Sequence, residues 1–560
     1  NTALGSEALK SNTTASNNTA VGYQALQDNT TGIQNVALGY QALANNTTAD
    51  DNTAVGYSAL LDNTTGTSLT ALGRDALANN TTADYNTAVG RSALQNNTTG
   101  SSNTAVGYVA LLANTTGVRN VAVGGGLSSV YGPLRSNTTG NYNTALGYSA
   151  LTSNTTADSN TAVGNQALSS NTTAANNTAV GYAALFDNTT GASNVALGMN
   201  TLENNTTASN NTAVGYSALR QNTTGANNVA MGRDALTSNT TATNSIAIGY
   251  QTGFSSTTIG IVAIGYQSLY ANTSGINNVA LGNSTLRYNT TGAENIAIGN
   301  SALQQNTTGS NNTALGRQAL VSNTTATNNT AIGYQAAYSQ TVGGGNTAVG
   351  HLALYDNTTG TSNVAAGNSA LTNNTIGGGN VAFGSSALSG VTTGNFNTAI
   401  GHTTGDTLTT GTNNTCIGYD AVPSTANVNH QFTLGNTQID NLRCNDTTIS
   451  ALSDARDKTN VIDIPLGLDF INKMRPVAFD WDRRDGSFKG RKDFGFIAQE
   501  LKVIQDETDY AEHLRLVHED NPEKLEADPM KTFPVLVKAI QELSAKVEAL
   551  QTELTLLKGK

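Results

Sequence analysis

Ser453 and Lys458 stand five residues apart in the run SDARDK. A serine hydroxyl is a poor nucleophile until a base removes its proton. Lysine serves as that base when desolvation or a nearby positive charge lowers its pKa from about 10.4. Arg456 is the candidate for that charge. A serine activated in this way can attack a peptide carbonyl, giving an ester that water hydrolyses. Asp454 and Asp457 are candidates to cap a helix start or to orient Lys458. Taken alone, SDARDK reads first as a capped helix N-terminus, so the surrounding elements decide.

The charge distribution separates these residues from everything before them. Residues 1–452 hold 27 of the 65 charged side chains, and residues 453–560 hold the other 38. The break near Ser453 marks a boundary between a low-complexity array and an ordinary folded segment. Near the end, Leu536, Ile540, Leu543, Val547, Leu550, Leu554 and Leu557 alternate steps of four and three. That is a heptad seam, expected within a coiled-coil helix over 533–558. The same spacing also suits an amphipathic helix packed on its own domain.

The array itself is a repeat. NTAVGYQALQDNTTG (18–32) recurs with its Gly at 5, 22, 39 and onward in steps of seventeen to Gly124, then from Gly147 to Gly249, then from Gly265 to Gly418. There are twenty-five copies, with one long step and one short one. A fixed period of this length indicates a solenoid, in which one repeat is one structural unit. The fold class expected is mainly β: a trimeric parallel β-solenoid over 1–424, a β connector over 425–452, and a small α+β domain over 453–560. At about 4.8 Å per coil, the array would extend on the order of 120 Å.

Within each repeat, Asn-Thr-Ala-Val is the surest strand. The Ala-Val pair is expected to point into or border a buried core, so Val214→Asp should destabilise it by several kcal/mol. The Tyr-Gln-Ala-Leu segment fits either a second strand or one helical turn. NTTG is the return turn, with its Gly expected at positive φ. Stacked Asn and Thr are expected to form ladders along the axis. The segment from Gly124 to Asn143 reads as an inserted loop, either a receptor-contacting protrusion or a tolerated insertion. Cys416 takes a core Ala position and is expected to be a small buried hydrophobe.

The position after Gly is Tyr in eleven copies, including Tyr23, Tyr40, Tyr57, Tyr108, Tyr148, Tyr182 and Tyr216. Elsewhere it is most often Arg74, Arg91, Arg233, Arg317, His351, His402 or Asn. Such interchange argues for an exposed column, either a stacking surface for sugars or a stiffening ladder. NTT also satisfies the N-glycosylation pattern, as at Asn12, Asn29 and Asn46, although the repeat alone accounts for it.

Short runs such as NTAVG, NVALG and SIAIG resemble the head repeats of trimeric autotransporter adhesins, which are parallel β-rolls. The longer repeat resembles those of phage tail fibres and related surface proteins. The C-terminal segment resembles the endosialidase-type intramolecular chaperone through four motifs in order. They are SDARDK (453–458), PLGLDFINKMRPVAFDW (465–481), DFGFIAQEL (493–501) and FPVLVKAIQEL (533–543). The resemblance implies that three chains fold together, after which a serine cuts the chain just before itself. It places the nucleophile at Ser453, the base at Lys458 and the cut between Leu452 and Ser453.

Other classes fit less well. A net charge of −11 gives no basic face for nucleic acid, and no apolar run suits a membrane span. The two cysteines make no disulfide framework, and the isolated histidines suggest no metal. No cofactor is expected, and any catalysis is one cut per chain with no external substrate. The expected partners are two further copies of the chain and a host cell-surface receptor, a glycan in the first instance. The expected location is a virion tail fibre or, as the alternative, the surface of a cell that displays the chain as an adhesin. The chain begins at Asn1, inside a repeat and without Met, as a fragment or processed product would.

Overall fold

The computed structural model of the chain describes residues 1–126, 130–439, 442–443, 453–484, 488–519 and 525–559. They form two compact units, Asn1–Asn363 and Val364–Lys560. Both carry the repeat as parallel β-solenoid, and the second also carries the C-terminal α+β region.

Each repeat contributes one three-residue strand, from β1 (Thr2–Leu4) to β21 (Thr347–Val349) in the first unit. Strands β22 (Val364–Ala366) to β26 (Phe432–Leu434) follow in the second. Successive strands pair in parallel with equivalent residues opposed, as Thr19↔Val36, Ala20↔Ala37 and Val21↔Leu38. The connector therefore opens with a further coil, because Phe432–Leu434 pairs in register on Thr415–Ile417. Residues 440–441 and 444–452 of the connector lie outside the described residues.

Strand geometry decides which side chains enter the core. Alternate residues face opposite sides of a strand, so the central Ala points in and its neighbours point out. Ala20, Ala37 and Ala54 are fully buried, whereas Leu38 is 47% exposed. This corrects the expected Ala-Val core pair. Val214 is only half-buried beside the buried Ala213, so an Asp there would face outward.

The core is completed by the Tyr-x-Ala-Leu segment, which is neither a strand nor a helical turn. It is a run of turns, with Gln24 and Leu26 at φ of 56° and 50°. Its amides bond alternately to the two adjacent coils: Gln24 N–H donates to Ser6 O (2.9 Å), and Leu26 N–H to Ala42 O (3.0 Å). These inter-coil bonds hold non-glycine residues in a left-handed conformation that they otherwise disfavour. The result is a buried row of Ala25, Leu26 and their equivalents, open only at the first and last coils, at Leu9 and Val422.

Two columns of asparagine stack through the interior. Asn46 Nδ2 donates to Asn29 Oδ1, and Asn63 Nδ2 to Asn46 Oδ1, each at 2.9 Å. The second column works through the backbone, Asn35 N–H donating to Asn18 Oδ1 at 2.8 Å. Thr30 Oγ1 adds a third ladder by donating to Thr47 O. These bonds satisfy polar groups that a narrow core would otherwise leave unpaired. The acceptor asparagines Asn29 and Asn46 are fully buried, so the folded coil presents no nitrogen there for glycosylation.

The turn Gly of NTTG is not at positive φ, contrary to the sequence expectation; the strand-end Gly is. Gly22 has φ +133°, and a Cβ on it would lie 2.3 Å from Gly39 O. That column tolerates glycine alone. The long step adds residues 125–130, of which 127–129 lie outside the described residues. The chain rejoins the pattern at Tyr131, which stacks on Tyr148, and at buried Leu134.

The C-terminal region is small. A hairpin of β27 (Val477–Asp480) and β28 (Lys492–Gly495) pairs antiparallel. Helix α1 (Leu468–Ile471), α2 (Ala498–Asp506), α3 (Ala511–Leu514) and the 26-residue α4 (Phe533–Lys558) surround one core. That core comprises Phe470, Leu501, Leu514, Leu516, Val517 and Val535.

A serine–lysine pair at the start of the C-terminal region

Residues 455–457 form a single 3₁₀ turn. Asp454 caps it, its side chain accepting from Arg456 N–H at 2.9 Å. This is the cap expected of a short acidic side chain at a helix start. The same carboxylate holds the Arg456 guanidinium at 2.6 Å, which keeps Asp454 well below the usual carboxylate range. Arg456 is thus partnered by Asp454, not by the lysine it was expected to influence. The turn reverses the chain enough to bring Lys458 back over Ser453. Lys458 Nζ lies 2.6 Å from Ser453 Oγ and 3.4 Å from Ser453 O.

Both side chains are exposed in the single chain. Leu452, the residue on the other side of the bond, lies outside the described residues. The hydroxyl and amine are within proton-transfer distance, and their surroundings are open to water.

Helix α4 holds the second set of site residues. Val535 and Ala539 are buried against the domain. Farther back, Glu542 accepts from Leu468 N–H at 2.8 Å and so ties α4 to the start of α1. The heptad residues are different: Leu536, Ile540, Leu543, Val547, Leu550, Leu554 and Leu557 are all exposed. The helix packs on its own domain only through its first turns, and the seam stays uncovered. Sequence reasoning missed Glu542, since a lone acidic residue inside a heptad carries no signal of its own.

Among the other side chains of this region, Phe496 packs against the core. Arg475 instead reaches across the surface to Glu500. Trp481 meets Phe479 edge-on at 5.1 Å and donates to Asp493.

The aromatic column is surface-facing. Tyr23, Tyr40, Tyr57, Tyr182 and Tyr216 are exposed, and Tyr108 and Tyr148 are half-buried. Tyr23 stacks on Tyr40 at 5.2 Å, Tyr40 stacks on Tyr57 at 5.0 Å, and Arg74 lies over Tyr57 at 5.4 Å. The Tyr, Arg and His variants of the column are interchangeable because each offers a flat face to its neighbour. Cys416 is buried in the Ala column, and burial pushes its thiol up. Among the described residues no cluster of His, Cys, Asp and Glu is suited to a metal, and no helix is long and apolar enough to cross a membrane.

Comparison with known families agrees with the C-terminal motifs. Residues 453–510 match the family model described as the chaperone of endosialidase. The match begins at Ser453 and takes in the Ser–Lys turn, α1, the hairpin and α2. No curated protein matches the chain. The chain is therefore a repeat-built parallel β-solenoid that carries an intramolecular-chaperone domain of this kind after its last coils.

Proposed function

We propose that the chain is the shaft of a homotrimeric fibre that attaches a virion to the surface of a host cell. Its C-terminal region registers three chains and then cuts itself off between Leu452 and Ser453. The observation that carries the cut is the 2.6 Å approach of Lys458 Nζ to Ser453 Oγ, at the first residue of the family match.

The chemistry follows in order. Lys458 takes the Ser453 hydroxyl proton as Oγ attacks the Leu452 carbonyl carbon. The bond from that carbon to Ser453 nitrogen breaks, and the nitrogen takes the proton. Water then hydrolyses the ester, leaving a carboxylate on Leu452. Lysine must be neutral to begin, which calls for desolvation. A single chain leaves the pair exposed, so packing of further copies supplies the burial. Cleavage then reports assembly.

Attachment rests on the exposed Tyr column, whose ring edges, hydroxyls and arginines are open to a sugar. Intact and native mass spectrometry test the reading together. The expected result is a trimer with a break before Ser453, lost in Ser453→Ala. A Ser453→Ala chain still cut at that bond would exclude the serine.

A further inference from the structure

One face of the solenoid has no partner. Within Asn1–Asn363, twenty-one strands each turn two side chains outward, at the positions three and one before Gly. Every one of these is Thr, Val, Leu, Ile or Met. Most of the larger ones are exposed, as Leu72 at 47% and Leu315 at 43%, and others such as Leu281 and Ile298 are half-buried. Other surface columns carry charge freely, as at Glu7, Asp28, Arg74 and Arg119. The strand face carries none, and an uncharged strip with an apolar side chain before Gly in every coil marks an interaction surface.

The irregular coils spare this face. The six extra residues leave the coil after Gly124, yet Val121 still pairs with Thr144. The sixteen-residue coil loses its residue in the return turn, yet Ile246 still pairs with Val262. The chain tolerates insertion and deletion elsewhere in the coil, and the ladder runs on in register.

The repeat also restricts what can cover the strip. Its side chains recur once per coil, about 4.8 Å apart. A partner that matches it over many coils needs uncharged side chains at that same spacing. A second copy of this chain has them. If each outward side chain lost only about 20 Å², forty-two of them would reach the ~800 Å² that one partner buries in a standard interface. The exposed α4 seam, uncovered in a single chain, likewise calls for other copies.

We propose that the outward strand face is the surface by which copies of the chain pack against one another, in parallel and in register. This rests on the association of copies proposed above and adds which face of the coils it uses. The aromatic column, one residue past Gly, then flanks the contact and stays open to solvent.

Cysteine cross-linking of the full chain tests it, in a Cys444→Ser, Ser453→Ala background that keeps the C-terminal region attached. Val195→Cys and Leu197→Cys sample the two outward columns, and Thr207→Cys, exposed on the return turn, is the control. Mild oxidation should link copies through at least one outward position and not through the control. Native mass spectrometry of the same samples gives the copy number. Association without cross-links at either outward position, or with equal linking at Thr207→Cys, overturns the face while leaving assembly intact. A monomer without cross-links overturns both readings. Leu197 is already partly exposed, so loss of fold is not expected, and circular dichroism checks it.

Discussion

Lys458 Nζ approaches Ser453 Oγ at 2.6 Å across a single turn capped by Asp454. Neither residue of the pair packs into the domain core, so each can be changed without unfolding it. Lys458→Met should leave the bond before Ser453 intact and the copies associated. Asp454→Ala removes both the cap and the Arg456 partner, and should slow cleavage without abolishing it. Intact mass against time after refolding checks both. Rapid cutting of Lys458→Met would exclude the lysine as base.

The period of the array was fully legible in the sequence, because one Gly and one Ala recur at fixed positions. The Ser–Lys pair was legible through motif order. What was not legible came from contacts between coils. Leu26 sits at φ 50° because its amide is aimed at the next coil, and no local propensity announces that. The outward turn of Val214 was recoverable from strand alternation, but a run of apolar letters suggested burial for all of them. Capping was one of two roles open to Asp454 and Asp457, and Asp454 takes it. Its capture of Arg456 was one of several possible pairings, and only geometry selects among them.

The heptad leucines make a separate prediction. Leu543 and Leu550 are exposed in the single chain, and neither belongs to the domain core. Replacing both with Asp should therefore cost the isolated fold little. It should abolish association, since paired helices would bury carboxylates in the seam. Sedimentation should show loss of the assembly with helical content near that of a chain that still folds. It should also slow cleavage, because the Ser453–Lys458 pair would stay wet. Assembly that survives both substitutions would show that the seam is not the contact.

Burial of Cys416 predicts its reactivity. The thiol is enclosed in the Ala column, and burial pushes its pKa up. The thiolate is the reactive form, so both access and ionisation oppose modification. In a Cys444→Ser chain, maleimide should label the native protein far more slowly than the denatured one. Labelling at equal rates would mean that the coils around Cys416 open readily.

The strand-end glycine column should be the least tolerant of substitution. Gly215 has φ +128°, and a Cβ there would lie 2.6 Å from Gly232 O. Backbone strain of about 1–3 kcal/mol adds to overpacking of about 1–3 kcal/mol. Gly215→Ala should thus destabilise its coil by several kcal/mol. Because each repeat touches mainly its neighbours, the damage should be local. Hydrogen exchange should rise in the coils around residue 215 and stay unchanged near residue 50.

The buried asparagine column predicts non-additive substitutions. Asn63 Nδ2 donates to Asn46 Oδ1 and Gly66 O, and Asn63 Oδ1 accepts from Asn80. Asn63→Leu breaks two links of the ladder, and so does Asn80→Leu, which also loses the link to Asn97. Together they break three links rather than four, since the 63–80 link is shared. Each buried group left unpaired costs about 1–3 kcal/mol, whereas replacing both partners of one bond is nearly neutral. The double variant should therefore be more stable than the sum of the singles by at least about 1 kcal/mol. The chain already contains such an adjacent pair: buried Val391 and Leu408 occupy this column in neighbouring coils. Exchange rates of the amides of Thr64 and Thr81, which bond to the next coils, give the local opening free energies for a double-mutant cycle. Strict additivity would mean that the stacked amides act as independent turn caps, and that the ladder between them contributes nothing.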